Sequence, residues 1–175
     1  IQDISGDNKE QREEHLNVIL DEANHLERLV NDMLTLSKYE SEVFVINETE
    51  FNLYDHIRST VNLFQLEDIE FDIDVDLDLV VVADEIKMGQ VLYNFISNAT
   101  KFVGPDNKII INAKKIQSHK VLISVIDHGK GISESQIESV WDRYYKIDKH
   151  FQRIKGTGLG LSIVKAICEA NDSHY

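Results

Sequence analysis

The chain has 175 residues, of which 42% are hydrophobic and 28% charged, with a formal net charge of −13. That is enough for one or two domains with a sizeable core, and the acidic balance excludes a general nucleic-acid binder. The single cysteine, Cys168, excludes a disulfide framework and a cysteine-based zinc site, and the apolar runs are far shorter than the ~20 residues of a membrane helix. The sequence carries no signal-peptide pattern and reads as a soluble chain of a reducing compartment.

The first predicted element is one long helix. The turn SGDN at 5–8 offers capping residues, and no Gly or Pro interrupts the chain from 9 to 41. Leu16, Ile19, Ala23, Leu26, Val30 and Met33 recur at spacings of three and four, a coiled-coil-like seam. Leu20, Leu29, Leu34 and Leu36 widen it. A lone helix cannot bury such a stripe, so it needs partner helices, from another subunit or from sequence ahead of Ile1.

Residues 45–127 alternate strand and helix signals. EFNL at 50–53 suits a short strand, and 54–66 suits a helix with Ile57, Val61 and Phe64 inward. The stretch IEFDIDVDLDL at 69–79 alternates strictly, with Ile69, Phe71, Ile73, Val75 and Leu77 on one face and five acids on the other. It reads as one strand with a solvated acidic face, rather than as a metal-binding strip. VVVAD at 80–84 leads into a helix, and GPDN at 104–107 turns the chain into a hairpin around 117–119.

The remainder is rich in loops. The pattern predicts a short helix over 133–145, an irregular basic segment over 146–162, and a closing helix, LSIVKAICEA, over 161–170. Strands in a mixed sheet with helices collected on one face make an α+β fold, an α/β sandwich with a long helix in front.

Charge is unevenly spread. Residues 1–45 hold 11 acids and 4 bases, residues 46–90 hold 12 and 2, and residues 91–175 hold 8 and 12. A basic third on an acidic chain suits a local anionic ligand, although scattered solvated lysines give the same count.

Four stretches in that third bear chemistry. VIDHGKGI places Asp127 at a strand end before Gly129 and Gly131. A carboxylate there can accept from an exocyclic amine, and glycines permit close backbone approach; an ordinary turn is the bland alternative. GTGLGLS offers Gly156, Gly158 and Gly160 ahead of a helix, whose exposed N–H groups suit phosphate. It matches neither the dinucleotide fingerprint nor a P-loop. Between them Arg143, Lys146, Lys149, Arg153 and Lys155 interleave with Tyr144, Tyr145 and Phe151, a mix able to close over phosphates and a base.

The fourth stretch, VLYNFISNATKF at 91–102, is a packed amphipathic helix that carries Asn94 and Asn98 on one face with Lys101 a turn further on. Asparagine favours caps and turns over helix interiors. Two amide oxygens a turn apart can reach one Mg²⁺, while the lysine meets a phosphate as a point charge.

Together the four stretches resemble, in order, the asparagine box, first glycine box, aromatic box (VWDRYYKID) and second glycine box of the ATP-binding domain of sensor histidine kinases. That domain belongs to the superfamily shared with DNA gyrase and mismatch-repair ATPases. The long first helix is similar to the second helix of the dimerisation and phosphotransfer hairpin, so the resemblance implies 1–44 as a partial phosphotransfer segment and 45–175 as the ATP-binding domain.

The resemblance implies Asn98 as Mg²⁺ ligand with Asn94 assisting, Lys101 on phosphate, Phe102 beside the adenine, and Asp127 on the adenine amino group. Gly129, Gly131 and Ile132 would shape that pocket. Arg143, Tyr145 and Lys146 would begin a mobile lid, and Gly156, Thr157, Gly158, Leu159, Gly160 and Leu161 would hinge it and line the phosphates. Asn94, Lys101 and Arg143 would assist transfer of the γ-phosphoryl of ATP to a histidine, then to a response-regulator aspartate. It further implies a homodimer through the first helix, a response-regulator partner, no nucleic acid, and the cytoplasmic portion of a membrane-anchored bacterial protein, anchored through upstream segments. Two departures stand out. The family's acceptor motif is absent, His15 and His25 reading as bundle residues, and Trp141 replaces a phenylalanine. The family also continues into further strands, so the sequence reads as truncated and unable to phosphorylate itself. A non-enzymatic nucleotide-binding module and an anti-sigma-type serine kinase are the alternatives, the latter a poor fit to the long helix.

Overall fold

The computed structural model describes residues 9–40, 45–64, 68–117, 119–146 and 156–175. The capping turn at 5–8 and the basic segment from 147 to 155 lie outside the described residues.

Helix α1 spans Lys9–Glu40 without a break. Its stripe divides in two. Leu16, Ile19, Leu26 and Val30 are all more than half exposed, whereas Leu36 is 5% exposed because it packs with Val91 of a later helix and with Leu159, Ile163 and Val164. Leu36 thus leaves the predicted seam for the core.

Strand β1 (Glu48–Asn52) ends at Asn52, whose side chain accepts from the Asp55 amide and starts helix α2 (Leu53–Val61). Leu53 and Ile57 face inward from α2. The single long strand expected over 69–79 is corrected. Strand β2 covers only Glu70–Asp74, and Leu77 is 63% exposed rather than inward. Asp76 turns the chain instead: its Oδ1 accepts from the Asp78 amide and its carbonyl from the Leu79 amide. This local turn overrides the alternation, and Leu79, 3% exposed, enters the core. Nor is the acidic face purely solvated, since the Lys108 ammonium lies 2.9 Å from Asp72 and 3.7 Å from Glu70.

Strand β3 (Val80–Asp84) pairs antiparallel with β1 in a two-stranded sheet. Asp84, buried, caps helix α3 (Glu85–Phe102) through the Lys87 amide and also accepts from the Asn47 amide. Strands β4 (Lys108–Gln117) and β5 (Lys120–Asp127) form the expected hairpin. The second sheet has the order β2-β4-β5, with β2 and β4 parallel. The sheet is therefore mixed, as expected, because the excursion through β3 and α3 is long enough to return the chain for a parallel strand.

One core lies between this sheet and helices α2 and α3, built on Leu53, Ile57, Leu92, Ile96, Ile109 and Ile111. The other forms where α1, α3 and helix α4 (Gly160–Ala170) meet. Helix α3 serves both, Leu92 and Ile96 facing one and Val91 the other.

The helix expected over 133–145 is replaced by two 3-10 turns, Glu134–Gln136 and Ser139–Trp141. The Ser133 hydroxyl donates to Gln136 Oε1 at 2.6 Å, and Ile137 stays half exposed, so local side-chain bonds compete with helix and little apolar burial supports it. Trp141 still anchors the segment, packing on the α4 core and edge-on to Tyr175 at 4.6 Å.

Candidate functional site

The C-terminal half of α3 carries Asn94, Asn98, Lys101 and Phe102, and both glycine turns come up against it. At the first, a Cβ on Gly129 would lie 1.9 Å from the Phe102 carbonyl oxygen and 2.8 Å from Asp127 Oδ1. Only glycine permits that approach. Asp127 Oδ1 accepts from the Gly129 amide at 2.9 Å, which uses one of the roughly four acceptor positions of a carboxylate and leaves Asp127 exposed at the end of β5. Gly131, at φ 69°, has open space where a Cβ would sit; Ile132, next to it in sequence, and Phe102, at the Gly129 approach, are each nearly half exposed.

The second glycine turn meets α3 at two places. Asn94 Nδ2 donates to the Gln90 carbonyl at 2.9 Å, which orients the amide and leaves Oδ1 facing α4, where a Cβ on Gly160 would lie only 2.8 Å away. A Cβ on Gly156 would lie 3.8 Å from the Lys101 ammonium. Gly158 is left-handed at φ 75°, and its carbonyl accepts from the Tyr144 amide at 2.9 Å, which fastens this turn to the segment after Trp141.

Asn98 is half-buried. Burial of the ammonium lowers the Lys101 pKa, and the cations Arg28 and Lys146 lower it further, against the opposing pull of Asp32. The residue as a whole still keeps solvent contact, so the ammonium stands at a cationic, partly dehydrated mouth rather than in the interior. Among the described residues no group of three or more His, Cys, Asp or Glu side chains is placed to hold a metal ion.

The structure brings Asn94, Lys101, Phe102, Asp127, Gly129, Gly156, Thr157 and Gly160 together along the C-terminal half of α3. It separates others. The Leu159 side chain is fully buried in the second core, so only its backbone is available to a ligand, and Leu161 is half-buried. Arg143 and Tyr144 line a cleft against Met33, Leu36 and Ser37 of α1, while Tyr145 is half-buried and Lys146 exposed.

Sequence reasoning missed two contributors. Asp32 accepts from the Thr157 hydroxyl at 2.7 Å, yet it lies off the seam of a helix 125 positions away and carries no local signal. His128 and Asp106 form a 2.6 Å pair, Nδ1 to Oδ2, and a Cβ on Gly104 would meet the His128 carbonyl oxygen at 2.1 Å. These contacts brace the turn behind Asp127, and the glycine and proline of GPDN hinted only that a turn exists.

Residues 83–174 match the family described as Histidine kinase-, DNA gyrase B-, and HSP90-like ATPase, and residues 2–42 match the His Kinase A (phospho-acceptor) domain. The chain is 34% identical over 171 residues to the sensor histidine kinase WalK of Bacillus subtilis (strain 168), which covers 94% of this chain and 28% of that protein. It is 34% identical over 166 residues to the autoinducer 2 sensor kinase/phosphatase LuxQ of Vibrio vulnificus (strain YJ016), covering 88% of this chain and 19% of that one. The chain thus spans less than a third of the length of these relatives. Among solved structures, full-length ShkA in complex with AMPPNP superposes with a TM-score of 0.78 at 26% identity, over 93% of this chain and 34% of that one. The histidine kinase ThkA in complex with the response regulator protein TrrA gives 0.74 at 31%, over 95% and 47%.

Proposed function

Because the chain belongs to the histidine kinase-, DNA gyrase B-, and HSP90-like ATPase family, in its sensor histidine kinase branch, we propose that it is the ATP-binding catalytic core of a two-component kinase. Its reaction is transfer of the γ-phosphoryl of ATP to a histidine, and onward to an aspartate of a response regulator. One observation carries this reading: three motifs far apart in sequence converge on the C-terminal half of α3, through the Phe102–Gly129, Asn94–Gly160 and Lys101–Gly156 approaches.

In this reading Asp127 accepts from the adenine amino group, with Gly129, Gly131, Ile132 and Phe102 around the ring. The amides of the turn from Gly156 to Leu161 and the start of α4 face the phosphates, where unsatisfied N–H groups favour anions. Burial and neighbouring cations disfavour the charged form of Lys101, and a phosphate brought beside it reverses that penalty. Arg143, Tyr145 and Lys146 would begin the lid, and Lys146 acts on the Lys101 ammonium.

The donor set also fits Mg²⁺. Asn94 Oδ1 and the Asn98 amide are neutral oxygen donors a turn apart, and a hard cation that keeps most of its waters needs few protein ligands. When bound there, Mg²⁺ would neutralise charge on the phosphates. The chain's own part is to hold these donors still: Asn94 through its bond to the Gln90 carbonyl, Asn98 through the packing of Ile96 and Ala99 on either side of it in α3.

The exposed stripe of α1 suits a homodimeric helical bundle, since Leu16, Ile19, Leu26 and Val30 all remain more than half exposed. Neither His15 nor His25 is followed by the glutamate of the family's acceptor motif, so the acceptor is assigned to a preceding helix and 1–44 to the partial phosphotransfer segment. No helix of the described residues is long and apolar enough to cross a membrane; a membrane anchor and a cytoplasmic setting for this portion are assigned by likeness to sensor kinases. The serine-kinase and binding-only alternatives are not favoured, because the phospho-acceptor match accompanies the ATPase match.

The test is calorimetric titration of the chain with a non-hydrolysable ATP analogue, with and without Mg²⁺. Saturable binding that Mg²⁺ strengthens and ADP competes away is expected. A flat titration under both conditions overturns the reading.

A further inference from the structure

Helix α1 reaches into the proposed phosphate site. The Thr157 hydroxyl donates to Asp32 Oδ2 at 2.7 Å and accepts from the Leu159 amide at 3.3 Å. Thr157 lies between Gly156, which approaches the Lys101 ammonium, and the left-handed Gly158. Asp32 is half-buried, and one helical turn beyond it Leu36 is locked into the core that holds Leu159 and Ile163. Packing of Leu36 therefore holds the stretch of helix that carries the carboxylate against the turn of Thr157. Arg28, Asp32 and Lys146 all act on Lys101, and Asp32 is the anion among them.

A hydroxyl has a single proton to donate. The Thr157 hydroxyl cannot give it to Asp32 and to a phosphate oxygen together, and a carboxylate held beside a polyphosphate is repelled by it. Resting on the nucleotide reading above, we propose that Asp32 is a built-in competitor for the phosphates. It occupies the Thr157 hydroxyl and the cationic mouth in the free protein and yields both when a nucleotide enters, which loosens α1 from the site. The coupling is reciprocal: whatever draws α1 away from Thr157 raises nucleotide affinity by the same factor by which the nucleotide favours the released helix. A signal that repositions α1 then acts on the site through one side chain.

The experiment titrates the unaltered chain, Asp32→Ala and Asp32→Asn with a non-hydrolysable ATP analogue and separately with adenosine, which has no phosphate. Circular dichroism reports the fold of each. The analogue should bind Asp32→Ala about fivefold tighter, the scale of one partly exposed charge contact, while adenosine affinity stays unchanged. Asp32→Asn keeps an oxygen for Thr157 but loses the charge, and it should fall between; it decides the matter if the alanine variant unfolds. Unchanged or weaker binding of the analogue to the variants overturns the proposal, the weaker case making Asp32 a support of the pocket. Equal tightening for adenosine overturns it too, as a general opening of the cleft. If no chain binds the analogue, the nucleotide reading fails and the competitor with it, whereas normal binding by the unaltered chain with no response to substitution sinks the competitor alone.

Discussion

Asn94 Oδ1 and the Cα of Gly160 face each other so closely that a Cβ on Gly160 would sit 2.8 Å from the oxygen. The middle of α3 and the first residue of α4 are thereby in register, and the amide proposed to hold Mg²⁺ lies against the turn proposed to hold phosphate. Gly160→Ala should separate these roles from stability. Alanine favours a helix over glycine by about 1 kcal/mol, and the obstructing atom ends a side chain that can shift, so the melting temperature should change little. Nucleotide affinity should fall about tenfold, on the scale of disturbing a ligand's support. Paired melting and titration measurements check this; a large loss of stability with intact binding would contradict it.

Gly129→Ala should behave in the opposite way. Its Cβ would meet backbone, the Phe102 carbonyl oxygen at 1.9 Å, and backbone cannot swing aside. The expected cost is about 3 kcal/mol or more, in the range of severe strain and overpacking. Chemical denaturation should show it as a lower midpoint with an unchanged slope.

Asn98→Ala should lower Mg²⁺-dependent nucleotide affinity by about tenfold or more and leave the fold intact, since alanine is the better helix residue. Titration with and without Mg²⁺ is the measurement. Equal losses in both conditions would move Asn98 from the metal to the nucleotide.

His56 should make stability depend on pH. Burial lowers its pKa below the ordinary 6.5, although Glu85, 3.5 Å from Nδ1, pulls the other way. Its Nε2 is buried without a hydrogen-bond partner among the described residues, so the protonated ring would bury an unpaired N–H. A depressed folded value means that the unfolded chain binds the proton more readily. The contribution is whole above about 6.5 and is lost as pH falls through the folded value. His56→Phe, which keeps the ring against Phe51 at 5.0 Å, should flatten the stability profile between about pH 7 and 5. Denaturation curves across that range measure it, and an unchanged slope would refute the assignment.

The parts legible in the sequence are those whose cause is local. The period of α1, the hairpin of β4 and β5, and the two asparagines a turn apart on α3 follow from neighbours a few positions away, and the glycine turns announce themselves by composition. The tertiary structure decided the rest. Alternation at 69–79 cannot reveal that Asp76 closes a turn and sends Leu77 outward, because turn chemistry and strand periodicity compete for the same residues. The place of Leu36 in a core with Leu159, and of Asp32 on the hydroxyl of Thr157, depends on bringing together segments more than a hundred residues apart. No local pattern encodes such a meeting; it exists only once α3 and α4 have packed and left α1 a surface to lie on.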